Sequence, residues 1–172
     1  MTQPGYGGYQ MRSFLEARWA AFFDLLGWQW EYEPADFGGY IPDFVLLGPA
    51  PLLVEVKAEL SLAGLKRHQE KIDRYVPPEY EVLLVGVTPI LWVQGFPVAG
   101  LLRGPTWGYA PWGGRPPAVA YGIHHWNCWY GLRPSGAYKG TEYAFLPSDY
   151  VAALRVAWVQ AHNRTQWQKE SA

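Results

Sequence analysis

At 172 residues the chain has room for one domain with a sizeable core, and its formal net charge of −1 excludes a globally basic nucleic-acid binder. A single cysteine, Cys128, rules out an internal disulfide framework and fits a reducing interior, so a cytoplasmic location is expected. No basic stretch followed by an apolar core marks a signal peptide, and no apolar run is long enough to span a membrane.

Residues 1–10 are rich in Gly and Tyr and read as a loose arm. A helix is expected from Ser13 to Leu26, because Leu15, Trp19, Phe22, Phe23 and Leu26 form an apolar stripe at helical spacing and Gly27 suits the position just past its end. Residues 28–33 read as a strand and 35–39 as a loop. Two apolar runs follow, 41–47 and 52–57, separated by Gly48-Pro49-Ala50. Leu62 to Tyr75 is helical in pattern and is stopped by Pro77-Pro78. Glu81 to Val87 suits a central strand, and Ile90 to Val93 adds another. From Gly95 to about Tyr143, glycines, prolines and aromatics mix without helical period, so short strands and ordered loops appended to the sheet are expected. Ser148 to Gln168 returns to a helical pattern, with Tyr150, Val151, Leu154, Trp158 and Ala161 on one side and Ser148 as N-cap.

Charge inside the two apolar runs is the informative feature. With Gly48-Pro49-Ala50 as a hairpin loop, Val45 faces Leu53 and Asp43 faces Glu55. Opposed side chains lie about 5 Å apart on one face. The period of two adds Lys57 to that face and turns Val54 and Val56 to the other. Unpaired ionised groups in an apolar strand cost several kcal/mol. The two carboxylates should also repel, raising at least one pKa unless a cation sits between them. A structural Glu–Lys ion pair at a strand end is the plain alternative. Hard oxygen ligands on a rigid strand pair suit Mg²⁺ or Mn²⁺, which polarise phosphoryl oxygens and acidify a bound water. Lys57 would orient that water or neutralise charge on the phosphate.

Pro42-Asp43, followed by Glu55-Val56-Lys57 after an apolar strand, resembles the PD-(D/E)xK nuclease superfamily. The resemblance extends upstream to the helix opened by Arg12–Arg18, which carries Glu16, and to the strand Trp28–Pro34. Over about residues 12 to 87 the order of elements is similar to compact nucleases of phages and mobile elements, including the transposon-end-cutting TnsA-like type. That resemblance implies an α/β, restriction-endonuclease-like fold with a mixed central sheet flanked by helices. It implies Mg²⁺- or Mn²⁺-dependent cleavage of DNA, or less often RNA. Asp43, Glu55 and the Val56 carbonyl would then hold the metal, Lys57 would assist the attacking water, and Glu16 would be a third acid. Glu16 has an equally complete structural reading as the last member of a Ser13-x-x-Glu16 capping box. On this division one domain comprises a nuclease-like core (12–94), a Trp/Gly/Pro-rich extension (95–147) and a C-terminal helix (148–172).

Arg12, Arg18, Lys66, Arg67 and Lys71 are candidate phosphate contacts, against the ordinary reading of solvated helix faces. Glu31, Glu33 and Asp36 read as solvent-facing. Some RecB-like nucleases carry a glutamine and a closely following tyrosine on the helix after the hairpin, but Gln69 and Tyr75 depart from that spacing. His124-His125-x-x-Cys128 lacks the second ligand pair of a zinc site. Trp107, Trp112, Trp126 and Trp129, with Tyr109, Tyr121 and Tyr130, suit an aromatic core, a base-stacking surface or a protein interface. The alternative function is therefore a non-catalytic module that binds nucleic acid or protein through its Trp-rich half. Cutting both strands of a duplex would require two sites, hence a homodimer or a partner protein.

Overall fold

The computed structural model describes residues 3–48, 50–114, 121–125, 128–131 and 147–166. Local chemistry accounts for its first helix, α1 (Phe14–Leu25). Ser13 is extended and its side-chain oxygen accepts the Glu16 N–H, while Gly27 at φ 73° ends the helix in the left-handed region. Ala17 and Trp19 to Phe23 are all buried, because α1 is covered on both sides: by the sheet and by α4 (Pro147–Gln166). α4 begins one residue before the expected Ser148 cap, with Pro147 at its first position, where the fixed proline φ is already helical.

The main sheet runs β3 (Trp30–Tyr32), β4 (Phe44–Leu46), β5 (Leu52–Val56), β6 (Glu81–Val85), β8 (Phe96–Arg103), β9 (Trp107–Gly114), β10 (Tyr121–His125) and β11 (Cys128–Gly131). These strands lie spatially in the order β11-β10-β9-β8-β6-β5-β4-β3, with β7 (Leu91–Val93) paired to the start of β8. It is mostly antiparallel; β5 and β6 form its parallel pair among the described residues. Between them the chain crosses over through α2 (Leu62–Lys66) and α3 (Gln69–Tyr75). The class is thus mixed α/β. Every residue of β4, β5 and β6 is buried, since both faces of the sheet are covered. One face packs Phe44, Leu46, Leu52, Val54, Leu83 and Val85 with α1 and α4. The other packs Val45, Leu53, Val82 and Leu84 with Leu65 and Ile72 of the crossover. No helix among the described residues is long and apolar enough to cross a membrane.

Three expectations change. The N-terminal residues are not a loose arm: β1 (Gly5–Tyr6) and β2 (Tyr9–Gln10) form a small hairpin. Tyr6 donates to Asp24 at 2.7 Å, and Tyr9 rests on Trp30 and Tyr32, so aromatic area anchors a segment that has no apolar period. The expected helix 62–75 is two helices. At Arg67 and His68 the backbone tightens to i−3 hydrogen bonds, and both side chains reach back to Glu59 at 3.0 and 2.8 Å. Finally, 96–114 is not a set of short strands: β8 and β9 are eight residues each, and β8 lies directly beside β6. Gly100 permits that approach, because a Cβ there would collide with the Leu84 carbonyl.

Candidate active site

The hairpin has the expected register: Leu46 pairs with Leu52, Val45 with Leu53 and Phe44 with Val54. Pro49 of its loop lies outside the described residues. The next pair in that register is Asp43 and Glu55, and here the ladder ends. In place of a backbone carbonyl, Asp43 Oδ2 accepts the Val56 N–H at 2.7 Å. The Asp43 carbonyl turns away to accept the Glu33 N–H at 2.9 Å. On its far side β5 continues, with the Lys57 N–H donating to Val85 at 2.9 Å. Strand alternation then directs the Val56 N–H and C=O toward the opposite edge, where β4 has stopped.

Two carboxylates are buried at this point, Asp43 at 4% and Glu55 at 3% exposure. Each has one cationic partner. Lys57 Nζ sits 2.5 Å from Glu55 Oε1, and Arg12 Nη2 sits 2.9 Å from Asp43 Oδ1. Both cations reach solvent, with side chains 30% and 51% exposed, so they stand between the carboxylates and water. Glu55 Oε2 is buried and, among the described residues, makes no hydrogen bond of good geometry. Burial, and next the Glu55 charge, push the Asp43 carboxyl up to about 7, against the lowering effect of the Val56 N–H.

Glu16 is close enough for its charge to add to that rise, but its own oxygens are committed. Oε1 accepts from Ser13 Oγ at 2.8 Å, and Oε2 accepts from the Tyr32 hydroxyl at 2.7 Å and the Arg12 N–H at 3.2 Å. The capping carboxylate therefore reaches the backbone of Arg12 rather than that of Ser13. Among the described residues, no three His, Cys, Asp or Glu side chains gather as a metal-ligand group. The expected trio of Asp43, Glu55 and Glu16 is accordingly a pair, with the third acid built into the start of α1.

The candidate cations divide. Arg12 joins the site and also bonds Glu33 at 2.9 Å, so Glu33 supports the site instead of merely facing solvent. Arg18 turns inward: Nε and Nη2 donate to the Trp158 carbonyl at 3.2 and 3.1 Å, and its guanidinium lies 4.0 Å over the Trp158 ring. Burial lowers its pKa. It fastens α4 to α1, with two of its three nitrogens and one face of the guanidinium committed to Trp158. Lys66, Arg67 and Lys71 are exposed along the crossover helices, Arg67 being paired with Glu59 at 3.0 Å.

Tyr32 and Tyr40 are missing from the sequence-derived set. Tyr40 is buried beside Glu55, and burial, then the Glu55 and Asp43 charges, raise its phenol far above the ordinary value. The Gly38-Gly39 pair before it was the available signal, since adjacent glycines mark a tight turn that aims the next side chain. Tyr75 stacks on Tyr40, which brings α3 to the site by a contact other than Gln69. In the aromatic half, Trp112 is core, donating to the Pro89 carbonyl and stacked on Trp28, while Trp107 donates to Asp73. Trp126 and the side chains of Tyr121, His124, His125, Cys128, Trp129 and Tyr130 lie outside the described residues. Comparison with protein families, curated protein sequences and solved structures finds no match to this chain.

Proposed function

We propose that this chain is a divalent-cation-dependent phosphodiester hydrolase acting on DNA, with a restriction-endonuclease-like core. The observation that carries the reading is the buried Asp43–Glu55 pair, opposed across two strands at the point where their ladder ends, with Lys57 on the same face. The donor set fits Mg²⁺ or Mn²⁺. Asp43, Glu55 and the Val56 carbonyl are hard oxygens, Glu55 Oε2 makes no hydrogen bond of good geometry among the described residues, and a cation would relieve the repulsion that raises Asp43. When bound, such a cation supplies a polarised phosphoryl oxygen and a water of lowered pKa.

The chain's own residues would do the rest. Asp43 is held by the Val56 N–H, so its second oxygen keeps a fixed direction. Lys57 would release Glu55 and turn its ammonium toward the attacking water or the phosphate. Arg12, half exposed and steadied by Glu33, would neutralise a backbone phosphate, as would Lys66 and Lys71. A net charge of −1 supplies no general attraction, which favours a local cationic rim or a second copy or partner protein over binding by the whole surface.

A second reading, a nucleic-acid- or protein-binding module, draws on exposed Trp92, Phe96 and Tyr109. One experiment separates the two. Single-stranded, duplex and branched DNA are incubated with Mg²⁺ or Mn²⁺ and with wild type, Asp43→Ala or Lys57→Ala. Metal-dependent cutting by wild type, lost in both variants, supports the hydrolase. No cutting on any substrate, and no Mn²⁺ binding by calorimetry, transfers the weight to the binding module.

A further inference from the structure

A buried hydroxyl beside the two carboxylates has no part in the chemistry described above. Tyr40 is 5% exposed, and its backbone is tied into a tight turn. Asp36 Oδ1 accepts the Gly39 N–H at 2.6 Å, and the Phe37 N–H donates to the Tyr40 carbonyl at 2.8 Å. Its ring stacks on Tyr75 with centroids 5.9 Å apart and planes 13° apart, and Lys71 Nζ lies 5.7 Å from its centroid. The ring is thus held by two residues of α3, with its hydroxyl against the Glu55 carboxylate.

Neither the Tyr40 hydroxyl nor Glu55 Oε2 makes a hydrogen bond of good geometry, although both are buried. An unmatched buried hydroxyl costs stability. Phenylalanine would fill the same stack without that cost, so packing alone does not account for the oxygen. On the hydrolase reading, we propose that Tyr40 is a positioning residue for Glu55. Its hydroxyl donates to Glu55 Oε2 when Glu55 Oε1 leaves Lys57 for a divalent cation. That bond would fix which carboxylate oxygen faces the cation and keep Glu55 from returning to Lys57. Outer partners of metal-bound carboxylates have this role, and losing one lowers metal affinity by about 10–100-fold.

The test uses wild type, Tyr40→Phe and Asp43→Ala, each measured for thermal midpoint without metal, for Mn²⁺ affinity by calorimetry, and for kcat and KM on cleaved DNA. The expected Tyr40→Phe protein melts at or above the wild-type temperature, binds Mn²⁺ about tenfold more weakly, and loses kcat while KM for DNA is unchanged. Two results would overturn the role while the hydrolase reading stands. In one, Tyr40→Phe binds Mn²⁺ and cleaves as wild type does. In the other, its midpoint falls while its Mn²⁺ affinity holds, as a purely structural hydroxyl would give. Wild type that binds no Mn²⁺, like Asp43→Ala, overturns both.

Discussion

Two buried glutamates, Glu16 at the start of α1 and Glu55 at the end of β5, are within a few per cent of each other in exposure and opposite in how they are held. Glu16 is bonded through both oxygens to Ser13, Tyr32 and the Arg12 N–H. Glu55 has one oxygen on a partly exposed lysine, and its other makes no hydrogen bond of good geometry among the described residues. Burial by itself therefore does not mark a site. A satisfied carboxylate stabilises a helix start and fixes the β3 edge against it, whereas an unsatisfied one keeps bonding capacity in reserve.

Exchanging charge for an amide at these two positions should separate them most strongly. Glu55→Gln is expected to cut Mg²⁺-dependent cleavage by about 10³-fold or more, the scale of several kcal/mol of lost charge stabilisation. It should leave the metal-free thermal midpoint about unchanged, because the lost pairing with Lys57 is offset by relief of the repulsion on Asp43. Glu16→Gln should do the reverse, losing about 1–3 kcal/mol of stability in denaturant titrations and less than about tenfold in rate. Equal losses of rate in both would join Glu16 to the metal and erase the distinction.

Proton linkage tests the unsatisfied side without any assay of cleavage. The Asp43 carboxyl is pushed from 3.8 to about 7, chiefly by burial and then by the Glu55 charge, so the folded protein holds this proton more tightly than the unfolded chain. Its contribution to stability is fully present below about pH 4, falls as pH rises from about 4 to 7, and is level above that. The amount is on the order of a few kcal/mol. Urea titrations of metal-free wild type and Asp43→Asn should show the variant gaining on wild type across that window. A constant difference between them would remove the strain assigned to the pair.

Smaller effects should distinguish the cations. Arg18→Ala is expected to cost about 2 kcal/mol by releasing α4, with DNA affinity unchanged in filter-binding or anisotropy measurements. Lys71→Ala should weaken DNA binding a few-fold and reduce the salt slope by about 1, with stability unaffected.

How much of this can be read from the sequence depends on whether the determinant is local. The hairpin register follows from a period of two and a short Gly/Pro loop, so the opposition of Asp43 and Glu55 is legible in the amino-acid order alone. Ser13 as the cap of α1 is legible for the same reason. The fate of Glu16 is not, because it turns on Tyr32, sixteen residues away across the α1–β3 connection. Arg18 reads as a surface cation because its partner lies on α4. The helix break at Arg67 and His68 depends on Glu59, a residue outside the helical pattern. Tyr40 sits in a loop with no period at all, and only its glycine neighbours hint that it is aimed.

The docking of α4 on α1 also has a consequence for how the chain is made. Arg18 and Trp158 are 140 residues apart, and Trp158 packs on Trp19 and Phe22 with centroids 4.9 and 5.4 Å away. A ribosome adding about 5–20 residues per second needs on the order of ten seconds to cover that interval. Throughout it, the side of α1 that α4 will cover stays open while the strands of the main sheet are added one after another. That apolar strip is the surface through which the nascent protein would meet chaperones or aggregate, and it disappears only when Trp158 closes over it.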